Sequence, residues 1–93
     1  MHLSFQQINP TTVKTAADLT IPAGATHAEL SASVDTIMYT MDNSTTPSAT
    51  VGMAMNPYHS NKIFLIEDIK RIKFIAGGAG AKLNISYFAG RDI

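Results

Sequence analysis

The sequence predicts an all-β fold: an antiparallel β-sandwich of about seven or eight short strands, preceded by an extended N-terminal arm. Three observations predict it. Apolar side chains recur at every second residue in several short runs, which is the period of a strand. Clusters of Pro, Gly, Asn and Asp interrupt these runs roughly every ten residues. No stretch carries the 3.6-residue apolar period of a long helix.

The clearest run is Thr36 to Met55. Ile37, Tyr39 and Met41 fall on one face of an extended segment, and Thr36, Met38 and Thr40 on the other. Asp42-Asn43-Ser44 supplies a turn, because short oxygen-bearing side chains bond their own backbone and Asn tolerates positive φ. Val51, Met53 and Met55 then alternate in a second strand, closing a hairpin.

Taken in order, residues 1–16 form the arm, with one short strand near residues 3–8; Pro10 blocks a helix across it. The sandwich domain is 17–93. Ala17 to Ile21 reads as a strand, and Pro22-Ala23-Gly24 as a turn. His27 to Ala32 alternates, with Ala28, Leu30 and Ala32 inward. Asn56 to Asn61 is a loop. Lys62 to Ile66, apolar on both faces, reads as a strand covered on both sides. Glu67 to Lys70 is a connector of one helical turn. Arg71 to Ala76 and Lys82 to Phe88 alternate on either side of Gly77-Gly78-Ala79-Gly80-Ala81, which reads as a hairpin turn. The tail, Ala89 to Ile93, reads as polar and mobile. The predicted core is Leu30, Ile37, Tyr39, Val51, Met53, Ile63, Leu65, Ile72, Phe74, Leu83, Ile85 and Tyr87. A two-sheet arrangement of this kind is immunoglobulin-like or jelly-roll-like.

Composition narrows the function classes. The 93 residues make one domain with a small core. Only 15% are charged, which suits a subunit whose surfaces are covered in an assembly. A net charge of zero does not fit a generic polyanion binder such as a nucleic-acid protein. Residues 1–61 nevertheless carry Lys14 against Asp18, Glu29, Asp35 and Asp42, a net of −3, and the remainder carries +3. Separated halves would associate head to tail; interleaved strands would cancel the asymmetry. No cysteine is present, so no disulfide or thiolate metal site is available. No run reaches the ~20 apolar residues of a membrane span, and no signal peptide is visible.

Chemistry-bearing patterns are sparse. His2, His27 and His59 lack zinc-ligand spacing and read as surface residues. The Gly77–Lys82 stretch is not a phosphate loop, because Ala81 precedes Lys82 and a strand follows. Glu67 and Asp68 are adjacent, and Asp42 is explained by its turn. These patterns contain no catalytic constellation, no cofactor motif and no metal site, so a non-enzymatic role is expected. The residues that suit partner contacts are Leu3, Phe5, Ile8 and Val13 on the arm, Met38 on the face opposite Ile37 and Tyr39, and the basic cluster Lys70, Arg71 and Lys73.

Three segments, LTIPAGATHAEL (19–30), MYTMDNSTTPSATVGMAM (38–55) and IKFIAGGAGAKLNISYF (72–88), together resemble a family of small virion structural proteins of tailed bacteriophages. The resemblance implies a non-enzymatic subunit of the phage particle, made in the host bacterial cytoplasm. It implies a capsid decoration or cement protein that binds the major capsid protein and forms homo-oligomers. A neck or tail component is the alternative placement. The Tyr39-Thr40-Met41-Asp42-Asn43-Ser44 turn is also similar to carbohydrate-associated immunoglobulin-like domains, which implies a glycan-binding module on the virion. Asn43 stands where that consensus has Gly, and the chain has no Trp to stack on sugars.

Overall fold

The structure, a computed structural model, describes residues 1–59 and 61–90. Ser60, in the predicted loop, and residues 91–93 of the predicted tail lie outside the described residues. The chain forms β1 (His2–Ile8), β2 (Lys14–Thr15), β3 (His27–Ser33), β4 (Ile37–Thr40), β5 (Met53–Met55), β6 (Lys62–Leu65), α1 (Ile66–Ile69), β7 (Lys73–Ala76) and β8 (Lys82–Phe88). The strands make two four-stranded sheets, ordered β1-β8-β3-β6 and β2-β7-β4-β5, with every pairing antiparallel. The all-β prediction therefore holds. One core lies between the sheets, built from Leu30, Leu83, Ile85 and Tyr87 of the first and Ile37, Tyr39 and Phe74 of the second.

Among the described residues only β4 and β5 form a hairpin within one sheet; every other connection between the named strands crosses from one sheet to the other. The hairpin register is Ile37 opposite Met55 and Tyr39 opposite Met53. Its turn is held by Asp42, whose Oδ1 accepts the Ser44 N–H at 3.0 Å and the Thr45 N–H at 2.8 Å. Asn43 adopts φ of 59°, the left-handed conformation that Asn tolerates. Gly52, at φ of 124°, closes against the Tyr39 carbonyl, where an added Cβ would stand 3.0 Å from the oxygen.

The predicted hairpin of the last two strands is corrected. β7 belongs to the second sheet and β8 to the first, so Gly77–Ala81 is an arch between sheets. Small residues permit it: a Cβ on Gly77 would meet Thr36 O at 3.1 Å and Met38 Cγ at 3.2 Å. Gly78 packs against the Asp35 carboxylate. The predicted strand over Ala17–Ile21 is also absent. Residues Ala16–Asp18 form a 3₁₀ turn, because Thr15 and Asp18 make a capping box. The Asp18 carboxylate accepts the Thr15 N–H at 2.9 Å, and the Thr15 hydroxyl accepts the Ala17 N–H at 3.3 Å.

The N-terminal segment is not a free arm. β1 pairs along its length with β8, from His2 opposite Phe88 to Ile8 opposite Leu83, with one bulge between His2 and Ser4. Leu3 and Ile8 pack against the core. Gln6 faces inward opposite Ile85, and its Oε1 accepts both the Tyr87 hydroxyl at 3.1 Å and the Thr20 N–H at 3.0 Å. The 62–93 strands interleave with the earlier ones in both sheets, so the charge asymmetry of the sequence is dispersed in space.

Candidate functional site

β5 and β6 are edge strands of the two sheets, and Ala54 and Met55 of β5 line one cavity with Lys62 of β6, so the two edges lie on the same side of the molecule. Tyr39 of β4 and Phe64 of β6 meet edge to face at 6.1 Å across that side. A half-open cavity of about 200 Å³ lies there, lined by Ala54, Met55, Asn56, His59 and Lys62. Thr36 donates to Asn56 Oδ1 at 3.2 Å and fixes the cavity rim to the start of β4.

Five of the eight large apolar residues exposed among the described residues belong to β5, β6 and the segments beside them. Val51 is 44% exposed, Met53 63%, Ile63 52% and Leu65 54%, and Tyr58 stands in the loop between the strands. All four aliphatic residues were expected in the core. The reason for the difference is edge position. β6 pairs only with β3, so Phe64 turns inward while Ile63 and Leu65 stand on the outer face. β5 is three residues long, and only Met55 reaches the core. The prediction that Lys62–Ile66 is covered on both sides is corrected for the same reason. The sequence does not separate the two cases: a strand apolar on both faces is central, or is an edge with an uncovered outer face.

Apart from Phe5 and Phe88, the rest of the outer face of the first sheet is polar and tied together. Gln7 Nε2 donates to Asn84 Oδ1 at 2.7 Å, and Asn84 Nδ2 donates to Ser33 Oγ at 2.6 Å. Asn61 Nδ2 donates to Glu29 Oε2 at 3.0 Å. His2 stacks edge to face on Phe88 at 5.2 Å, and His27 Nδ1 lies 2.9 Å from the Thr26 hydroxyl. Among the described residues no group of three His, Asp or Glu side chains is placed to hold a metal ion.

The partner-contact residues expected from sequence are not brought together. Leu3 and Ile8 are consumed by the fold, Val13 is half-buried in the β1–β2 connection, and of the four only Phe5 is exposed, opposite Ser86 on the outer face. Met38, expected on a partner-facing surface, is 9% exposed; it is flanked in its sheet by Ala54 and Ile75 and lies against Gly77. Lys70 lies 3.9 Å from Glu67 in a loose surface pair. Arg71 is exposed in the turn after α1, and Lys73 is half-buried on β7, its Nζ 3.4 Å from Ser44 O. Arg71 and Lys73 therefore do not share a strand face, because β7 begins only at Lys73.

Among the described residues, two tyrosines and one aspartate have shifted acidities. Burial pushes the Tyr87 hydroxyl up to about 12 and raises Tyr39 as well. The bond from the Thr45 hydroxyl, with the Thr45 and Ser44 amides, lowers Asp42 to about 2. Each shift is explained by packing or by a turn.

No family model matches the chain, and neither a curated protein nor a solved structure does.

Proposed function

We propose that the chain is a non-enzymatic structural subunit of a tailed-phage particle, a decoration or cement protein that docks on the major capsid protein and on copies of itself. The resemblance of segments 19–30, 38–55 and 72–88 supplies the class. The observation that carries the assembly role is the apolar β5–β6 side, where Val51, Met53, Ile63 and Leu65 face water in the lone chain. Exposed apolar side chains gathered on the edge strands of a sparsely charged domain are what a subunit interface requires. The two sheets form a sandwich of immunoglobulin-like or jelly-roll-like type, a rigid body suited to a repeated surface position. A neck or tail position uses the same side and differs only in the partner.

Adding purified protein to particles that lack it tests the proposal. Wild-type protein sediments with the particles, and Met53→Lys or Leu65→Lys protein does so much less. Binding resists salt, because apolar contacts carry it. Wild-type protein that stays in the supernatant overturns the proposal.

A further inference from the structure

We propose that β6 is a self-complementary edge, and that two copies of this chain pair β6 to β6 around a two-fold axis at Phe64, extending the first sheet into eight strands. This rests on the assembly reading above and names the interface within it.

The backbone sets the register. Ile66 N–H donates to Thr26 O at 3.0 Å, and the β3–β6 pairing continues through His27–Leu65, Ala28–Phe64 and Glu29–Ile63. Main-chain groups in an antiparallel strand point alternately to either side. Ile66, Phe64 and Lys62 therefore bond toward β3, and the N–H and C=O groups of Ile63 and Leu65 point to the open edge. Among the described residues no other strand pairs with that edge. The two residues with outward main-chain groups are also the two whose apolar side chains stand exposed.

A two-fold at Phe64 sets Ile63 of one copy opposite Leu65 of the other, twice. These positions exchange main-chain hydrogen bonds on both sides of the axis, and each exposed aliphatic side chain covers its counterpart. Charge favours the same arrangement. Lys62 begins the strand, and Glu67 and Asp68 follow it. Antiparallel pairing lays the positive start of each strand beside the negative end of the other, whereas parallel pairing sets like charges together. An axis normal to the sheets keeps each sheet beside its own copy, so the β5 edges, with Val51 and Met53, meet along the same seam. Such an interface is isologous and closes at two subunits.

Other edges are less suited. β1 carries a bulge, a device that interrupts edge pairing, and β2 is two residues long. β6 has neither bulge nor proline.

The experiment combines sedimentation with site-specific cross-linking of the full chain. Wild-type protein at micromolar concentration sediments as a dimer, and Leu65→Lys protein as a monomer with an unchanged circular dichroism spectrum. The chain contains no cysteine, so introduced thiols have no competitor. Mixed Ile63→Cys and Leu65→Cys proteins form a disulfide-linked dimer under mild oxidation. Neither does so alone, because like positions sit roughly 8 Å apart across the axis by strand geometry, beyond the ~7 Å limit for a disulfide. A wild-type monomer overturns the inference. So does a dimer in which a single variant cross-links as well as the mixture. Both measurements use protein without particles, so their failure leaves the virion reading to the particle-binding assay.

Discussion

Gln6→Ala removes the acceptor that joins β1 to the buried end of β8. Tyr87 is fully buried, and its hydroxyl donates to Gln6 Oε1. Without Gln6 that hydroxyl has lost its partner in a dry core, at a cost of about 1–3 kcal/mol, and the Thr20 N–H loses its acceptor as well. The expected loss for Gln6→Ala is about 2–3 kcal/mol. Tyr87→Phe deletes the donor instead and leaves Gln6 Oε1 bonded to Thr20, so it costs only the net worth of one hydrogen bond, about 0.5–1.5 kcal/mol. The double variant costs less than the sum, because it leaves no orphaned hydroxyl and only the Thr20 N–H has lost its acceptor. Urea unfolding monitored by circular dichroism measures all three, and each kcal/mol moves the melting temperature by about 4–8 °C in a domain of this size. The titration of Tyr87 gives an independent check. Its acidity in the fold is shifted from 10.0 to about 12, so the neutral form is favoured by folding. The associated stability is complete below pH ~10 and is lost as pH rises toward ~12, an alkaline limb that Tyr87→Phe abolishes. A loss below ~0.5 kcal/mol for Gln6→Ala would refute the docking of β1 on β8 and restore a free arm.

Other outcomes follow from the same structure. Phe74→Ala costs about 3–5 kcal/mol by leaving a cavity between the sheets. Lys73→Ala, one residue earlier and facing outward, costs within ~0.5 kcal/mol; equal losses in urea unfolding contradict the β7 register. Gly52→Ala destabilises by about 1–3 kcal/mol through its positive φ and the nearby Tyr39 carbonyl. Gly24→Ala, where φ is 85° but nothing lies within 4 Å of the added carbon, costs less, and the reverse order in melting temperature counts against the turn geometry. Asp42, lowered to about 2, contributes stability above pH ~4 that is lost as pH falls toward ~2. Asp42→Asn flattens that acid limb, and an unaltered limb contradicts the role of the carboxylate.

The legible parts of the fold are those where alternation is complete. β3 and β8 bury every second residue, so their inward faces stand out in the sequence. The Asp42 turn is equally clear because its chemistry is local. Alternation states which side chains point inward but not which sheet a strand joins. An arch and a hairpin bury the same residues on either side of Gly77–Ala81, which is why β7 and β8 read as partners. β1 is obscured for a different reason. Its inward face includes Ser4 and Gln6, whose polarity breaks the pattern, and Gln6 finds its partners in Thr20 and Tyr87, away from it in sequence. The Thr15–Asp18 capping box was present as a short motif, yet adjacent apolar residues favoured a strand. For the candidate surface, apolar character was legible but exposure was not. Ile63 and Leu65 look like core until the sheet order places β6 at an edge.

The most direct measurement is the protein content of purified virions from the source that encodes the chain. Quantitative mass spectrometry against the major capsid protein is expected to find many copies, in a fixed ratio set by the symmetry of the shell. Absence from virions, with the protein recovered only from the soluble fraction of the host, would contradict the proposed role of the chain as a structural subunit of the particle.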